Sequence, residues 1–244
     1  MKLIERIFTK GKTGVWVLVD PDSLALDRLI DNILIAEEGG ADVVLVGGSY
    51  LKQDCFDDTV RAIKASTKLP VVIFPGNSRQ LSKHADGILF TSLLSGRNPQ
   101  YLIGEQMMAA PIILQMKLEV IPTAYLLIES GGMTSAQFIS NSMPLPAGKP
   151  DLALAHAQAG MLMGMKAVYL EAGSGAERPV PIAMIQRVAA GTNMKLIVGG
   201  GIRSVEDGVA AARAGADAIV IGTIIETLGG GLVKEMVDAI NTKN

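Results

Sequence analysis

Cysteine and histidine are nearly missing from this chain. Cys55 is the only cysteine among 244 residues, and His84 and His156 are the only histidines. An intramolecular disulfide is therefore impossible, and a zinc cluster built on thiolates is excluded. A multi-histidine metal site is not expected either. Cys55 reads as a surface or helix-packing thiol, and the two histidines as structural or surface residues. Long apolar runs are also missing. The longest, near residues 107–116, is broken by Pro111, whereas a membrane span needs about 20 apolar residues. The opening Met1-Lys2-Leu3-Ile4-Glu5-Arg6 lacks the apolar core of a signal peptide. An excess of positive charge is absent too. The formal net charge is −2, and lysine and arginine are scattered without a run. That excludes the basic footprint of a nucleic-acid binder and a basic membrane patch. The expectation is a soluble, cytoplasmic protein with no nucleic-acid partner. Transient contact with a membrane surface stays compatible with it.

What is present is material for a core: 49% of residues are hydrophobic and 19% charged. The length suits one βα barrel, typically about 250 residues, and no Pro/Ser/Gly-rich linker divides it. A single domain over residues 1–244 is expected. Short runs rich in Val, Ile and Leu, without strict alternation, lie at 15–20, 42–47, 71–75, 87–91, 118–128, 167–171, 195–199 and 218–222. That pattern suits parallel strands covered on both faces. Segments with helical spacing lie between most of them, such as Leu26, Leu29, Ile30, Ile33 and Leu34. Several strand starts resemble one another: Gly40-Ala41-Asp42, His84-Ala85-Asp86, Met165-Lys166-Ala167 and Gly215-Ala216-Asp217. Each reads as a helix end, a tight turn and a strand.

Eight strands alternating with helices point to an α/β fold, a closed (β/α)8 TIM barrel. A doubly wound open sheet is the runner-up, but it would usually carry an early glycine-rich dinucleotide turn. Here the early turn is Asp20-Pro21-Asp22 and the glycines cluster late. Residues 130–150 interrupt the rhythm with Pro144, Pro146 and Pro150, and read as a long loop or lid after the fifth strand.

In such a barrel the chemistry belongs to the C-terminal ends of the strands. Gly200-Gly201 after the seventh strand and Gly222-Thr223 after the eighth form a pair of turns suited to phosphate. Glycine lets backbone N–H groups approach an anion closely. Shaping tight turns is their plainer role, and the pairing at these two strands favours phosphate. Ser204 reads as a helix N-cap with Asp207 three residues on. Asp20, ending the first strand, is a candidate Mg²⁺ ligand, since hard cations prefer oxygen. Capping the helix expected near Leu24 is a job better suited to Asp22 or Ser23. Ser49, after Gly47-Gly48, could offer a hydroxyl to the same ion or simply shape the turn. Glu171 ends the sixth strand on the same side as Tyr169, with Leu170 on the other. It could act as a general base or grip a substrate hydroxyl. A salt bridge to an arginine such as Arg203 is the structural alternative.

These residues together resemble the geranylgeranylglyceryl phosphate synthase family. The resemblance rests on Asp20-Pro21-Asp22, Gly47-Gly48-Ser49, Tyr169-Leu170-Glu171-Ala172-Gly173-Ser174-Gly175, Val198-Gly199-Gly200-Gly201-Ile202-Arg203 and Gly222-Thr223. It extends to Ser92-Leu93-Leu94-Ser95-Gly96-Arg97-Asn98-Pro99 and Ile121-Pro122-Thr123-Ala124-Tyr125, in order along nearly the whole chain. The glycine turns are shared by many phosphate-binding barrels. The Tyr-Leu-Glu-Ala-Gly-Ser-Gly run combined with Gly-Gly-Ser is more specific.

The resemblance implies a Mg²⁺-dependent prenyltransferase. Such enzymes join C1 of a long prenyl diphosphate to the sn-3 hydroxyl of sn-glycerol 1-phosphate and release diphosphate, a step of archaeal-type phospholipid biosynthesis. It implies Asp20 and Ser49 at Mg²⁺, and Glu171 at the glycerol hydroxyls. Tyr169, Leu170, Glu171, Ala172, Gly173, Ser174, Gly175, Gly200, Gly201, Gly222 and Thr223 would hold the glycerol phosphate. It implies at least a homodimer. Twelve methionines would suit an adaptable prenyl groove. Some members carry a lysine two residues before the first Asp of the Asp-Pro motif. Leu18 stands there in this chain, so phosphate must rest more on backbone N–H groups and on Arg203 or other side chains. The competing readings are an isomerase or lyase of sugar or amino-acid metabolism on the same phosphate site, a catalytically dead barrel subunit, and a flavin-binding barrel.

Overall fold

The eight apolar runs become eight strands: β1 (Gly14–Val19), β2 (Val43–Val46), β3 (Val71–Ile73), β4 (Gly87–Leu93), β5 (Glu119–Leu127), β6 (Ala167–Glu171), β7 (Lys195–Gly199) and β8 (Ala218–Ile221). The computed structural model describes residues 2–9, 11–222 and 231–242. Every neighbouring pair is parallel, and β1 closes on β8 through Trp16 opposite Val220. The fold is thus the closed barrel expected from the sequence.

The unbroken apolar runs follow from closure. Alternate residues of the strands fill two separate cores, and only Glu119 and Val120 at the start of β5 are exposed. Trp16, Val43, Leu45, Tyr169, Ile197 and Val220 pack inside the barrel. Val17, Val44, Val46, Leu170, Val198 and Ile219 pack outside, under the helices. Each such side chain, fully buried, contributes about 1.5–3 kcal/mol.

The helical layer is α2 (Leu26–Glu38), α3 (Phe56–Ser66), α4 (Glu105–Met116), α6 (Pro150–Leu162), α7 (Ile182–Gly191), α8 (Val205–Arg213) and α9 (Gly231–Asn241). A π-helical turn, Gln100–Gly104, leads into α4. The repeated aspartates at the strand starts have one shared task. Asp42, Asp86 and Asp217 accept the backbone N–H of Val15, Val71 and Leu196 at 3.0, 2.7 and 2.9 Å. Lys12, Lys64 and Lys195 pair with the same carboxylates at 2.7, 2.6 and 2.7 Å. Each thereby satisfies a backbone donor at the start of the preceding strand.

Four details depart from the expected pattern. A helix, α1 (Leu3–Ile7), precedes the barrel, and its Leu3 and Ile7 join Phe8 and Trp16 in the inner core. The segment between β3 and β4 carries no helix. The helix after β1 opens at Leu26 with Ala25 at its N-cap, so neither Asp22 nor Ser23 caps it. Residues 130–150 are not all loop: they hold α5 (Ser135–Ser140), capped by Thr134, and a parallel bridge from Ile128 to Leu145. That bridge gives the segment a backbone partner, which is why a proline-rich stretch with few helix formers still keeps order. Ser204 caps α8 as expected, accepting from Asp207 N–H at 3.1 Å, while Asp207 accepts from Ser204 N–H at 3.2 Å.

Candidate active site

A cavity of about 620 Å³ opens at the C-terminal ends of the strands. Its floor is aromatic. Tyr169, with no exposed surface, stacks on Phe74 with ring centroids 4.8 Å apart. Tyr125 meets Phe74 and Tyr169 edge-on at 5.6 and 5.7 Å. The Tyr169 hydroxyl lies against Gly199, in space that a β-carbon there would occupy. It is buried and close to Glu171, without a hydrogen bond of full geometry.

Above this floor stands Glu171, only 5% exposed. Its Oε1 accepts the Gly173 N–H at 2.6 Å. Burial pushes its carboxyl up to about 7 from an ordinary 4.5. The Gly173 N–H and the neighbouring Tyr169 hydroxyl oppose the shift by favouring the charged form. Glu171 is thus poised to take or give a proton near neutrality. No salt bridge to Arg203 forms. Arg203 donates instead to the carbonyls of Ala176 at 2.7 Å and Gly175 at 3.4 Å, tying the β6 and β7 loops together.

The glycine-rich loops wall the same cavity. Gly200 and Gly201 adopt φ of +78° and +71°, a left-handed turn open to glycine. Ser174, Gly175, Gly201 and Ile202 line the cavity. Among the described residues their backbone N–H groups donate to no protein acceptor. Such a cluster of free donors is an anion-accepting concavity. Gly222 lines it too; Thr223 lies outside the described residues. Leu170 and Ala172 differ from their neighbours. Their side chains belong to the outer core, as strand alternation requires. Only their backbone faces are left for a ligand.

Asp20 and Ser49 line the opposite wall, after β1 and β2. Asp20 Oδ1 accepts the Asp22 N–H at 2.9 Å, and Oδ2 accepts nothing among the described residues. Burial raises the Asp20 carboxyl above its ordinary value, against the Asp22 hydrogen bond. Lys52, which the sequence reading did not single out, lines the cavity beside it. No group of three or more His, Cys, Asp or Glu side chains placed to hold a metal ion occurs among the described residues. A cation here would have one carboxylate and one hydroxyl from the protein, a donor set that fits Mg²⁺ completed by substrate oxygens and water.

Sequence reasoning also passed over Phe74 and the α5 residues Ser135, Ala136 and Ile139, which line the cavity, and Gln80, which is buried behind the cavity-lining Gly48 and Gly76. Phe74 follows directly on β3, so its place at a strand's C-terminal end was the available signal. Among the described residues no methionine lines the cavity; Met107, Met108, Met133, Met143 and Met163 are exposed elsewhere. The adaptable methionine groove is therefore not part of this site.

Parallel closure and a cavity at the strands' C-terminal ends, with free backbone donors beside a buried carboxylate, define a (β/α)8 barrel whose cavity lies on the face where such barrels carry their active sites. The chain matches the PcrB family over residues 9–243 and belongs to that family. It is 48% identical over 216 residues to the geranylgeranylglyceryl phosphate synthase of Flavobacterium johnsoniae, covering 88% of this chain and 89% of that one. It is 43% identical to that of Korarchaeum cryptofilum, covering 99% and 100%. A crystal structure of (S)-3-O-geranylgeranylglyceryl phosphate synthase from Thermoplasma acidophilum, in complex with substrate sn-glycerol-1-phosphate, superposes with a TM-score of 0.93 at 35% identity over 99% of both chains.

Proposed function

We propose that this chain is a prenyltransferase that joins a long prenyl diphosphate to the sn-3 hydroxyl of sn-glycerol 1-phosphate. The observation that carries the reading is Glu171: a buried carboxylate, pushed up to about 7, beside free backbone donors. The glycerol phosphate sits with its phosphate on the N–H groups of the β6 and β7 loops. Its sn-3 hydroxyl faces Glu171. As the hydroxyl oxygen bonds to C1 of the allyl group, the C1–O bond to diphosphate breaks and its electron pair leaves with diphosphate. Glu171 takes the hydroxyl proton.

Diphosphate belongs on the Asp20 and Ser49 wall. These two residues would hold a Mg²⁺ ion, which would neutralise charge building on the leaving group. Lys52 adds a cation on the same side. The prenyl tail has an apolar run along Leu93, Tyr101, Tyr125, Ala136 and Ile139, all in the cavity wall. Burial of Glu171 and Tyr169 keeps bulk water from the reacting carbon.

No helix among the described residues is long and apolar enough to cross a membrane, which supports a cytoplasmic enzyme working on a lipid-like substrate. Exposed Ile103, Met107 and Leu114 in and beside α4 support self-association into a homo-oligomer. Incubation with sn-glycerol 1-phosphate and prenyl diphosphates of several lengths, followed by mass spectrometry, tests the activity. An ether product is expected, and its absence with every donor overturns the reading.

A further inference from the structure

The helix-free connection from β3 to β4 puts a glutamine where the barrel's other crossovers have a helix packed on the sheet. Gln80 is fully buried. Its Oε1 accepts the backbone N–H of Gly48 at 3.2 Å and of Gly76 at 3.1 Å. Its Nε2 donates to the Gly48 carbonyl at 2.7 Å. One amide side chain therefore satisfies both polar groups of Gly48, as a neighbouring strand would, at a point where β2 has already ended. The geometry points to Gln80 as a positioning residue: it holds the Gly47–Ser49 turn against Asp20, so that the Ser49 hydroxyl and the Asp20 carboxylate converge on one cation and one diphosphate. This rests on the prenyl-transfer reading for the identity of the ligand.

The packing around Gly48 shows what is being held. A β-carbon on Gly48 would fall 2.6 Å from Asp20 Oδ2 and 2.9 Å from its Cγ. The Gly48 backbone is therefore laid directly on the Asp20 carboxylate. On the other side, a β-carbon on Gly76 would collide with the Gly48 carbonyl oxygen. Asp20, Gly48 and Gly76 form a stack from the ends of β1, β2 and β3, and Gln80 is bonded to its upper two members. A shift of the Gly48 peptide would move Ser49 and uncover the carboxylate together.

Few side chains could do this. The position demands an acceptor for two N–H groups and, on a separate atom, a donor for a carbonyl, which an amide supplies; an ammonium has no acceptor and a carboxylate no donor. An apolar replacement would leave all three backbone groups without a protein partner. A glutamate would keep the acceptor but set an oxygen against the Gly48 carbonyl. It would also add negative charge beneath a wall meant for diphosphate.

The test compares wild type with Gln80→Met and Gln80→Glu. Three things are measured: steady-state kinetics with both substrates, calorimetric binding of inorganic diphosphate with Mg²⁺, and amide exchange at Gly48 and Gly76. For Gln80→Met, the KM for prenyl diphosphate and the Mg²⁺ concentration for half-activation should each rise about tenfold or more, the loss of roughly one net hydrogen bond to a charged group. The KM for sn-glycerol 1-phosphate should stay within about twofold of wild type. Protection at both glycine amides should fall. Gln80→Glu, which keeps the size and the acceptor oxygen but adds charge, should raise the KM for prenyl diphosphate at least as much while keeping more amide protection, and it carries the test if the methionine variant does not fold. Unchanged KM values and Mg²⁺ response with only a lower Tm would reduce Gln80 to a structural residue and overturn the proposal. A wild type without ether product, yet with diphosphate binding that the variants lose, would uphold the positioning role and defeat the prenyl-transfer reading instead.

Discussion

The Oε1 atom of Glu171 occupies the space that a β-carbon on Gly200 would need. The same oxygen accepts the Gly173 N–H at 2.6 Å, and Gly173 in turn abuts Gly200. The glycine after β7 therefore serves the carboxylate after β6. Its bareness is required by Glu171 as much as by any phosphate.

Gly200→Ala tests this directly. The new methyl must displace Glu171 or the Gly173 amide, and the residue must hold φ near +78°. The left-handed backbone costs about 1–2 kcal/mol, which a denaturation midpoint reads. Activity should fall further than stability explains, mainly in kcat. Full kcat with a lowered midpoint would mean that Glu171 has room to spare.

Glu171→Gln separates function from folding. The variant should lose nearly all turnover at saturating substrates, because the amide cannot take the proton. It should also be more stable than wild type above neutral pH. The sign follows from linkage. The folded carboxyl, at about 7, lies above its ordinary 4.5. Its contribution to stability is whole below pH 4.5 and is lost as pH rises through 7. The full difference is on the order of 3 kcal/mol, absent in the glutamine variant. Melting curves at pH 5 and pH 8 should therefore converge at the lower pH and separate at the higher. The wild-type rate at low substrate should climb with pH through about 7.

Asp20→Asn should cost catalysis heavily and blunt the response to added Mg²⁺. The affinity for sn-glycerol 1-phosphate should change little, because that ligand is assigned to the β6 and β7 loops. Calorimetric titration with each ligand decides it. Loss of glycerol phosphate binding with intact Mg²⁺-dependent prenyl diphosphate binding would refute this division of labour.

Leu18→Lys probes the missing cation. Leu18 lines the cavity, and its Cβ lies 3.6 Å from the β-carbon position of Gly222. A lysine here should lower the KM for sn-glycerol 1-phosphate several-fold, roughly 1 kcal/mol at a partly exposed site, and make it salt-sensitive. No change at low salt would place the phosphate away from β1 and β8.

Much of the site was legible because strand ends announce themselves. Asp20, Ser49, Glu171 and the Gly200-Gly201 turn each directly follow or close an apolar run, and a barrel brings those ends to one face. Strand alternation also separated Tyr169 and Glu171 from Leu170 correctly. Phe74 carried the same signal, whereas Gln80, Lys52 and α5 did not. Gln80 stands in a segment with no period, and two of its three side-chain bonds go to Gly48, 32 residues earlier. The α5 segment looked like pure loop because its order comes from a bridge to Ile128, which no local propensity encodes.

The sequence by itself determined the strands, the closure and the chemistry of the strand ends. Hydrophobic runs of the right length can be buried on both faces in very few ways. What only the tertiary structure decided was which groups share an environment. Glu171 becomes a base near neutrality because burial removes the water that would otherwise stabilise its charge. Asp20 meets the Gly48 peptide, and Gly200 meets Glu171, because closure brings together chain segments far apart in sequence. Dielectric and contact are properties of that arrangement, and no residue carries them alone.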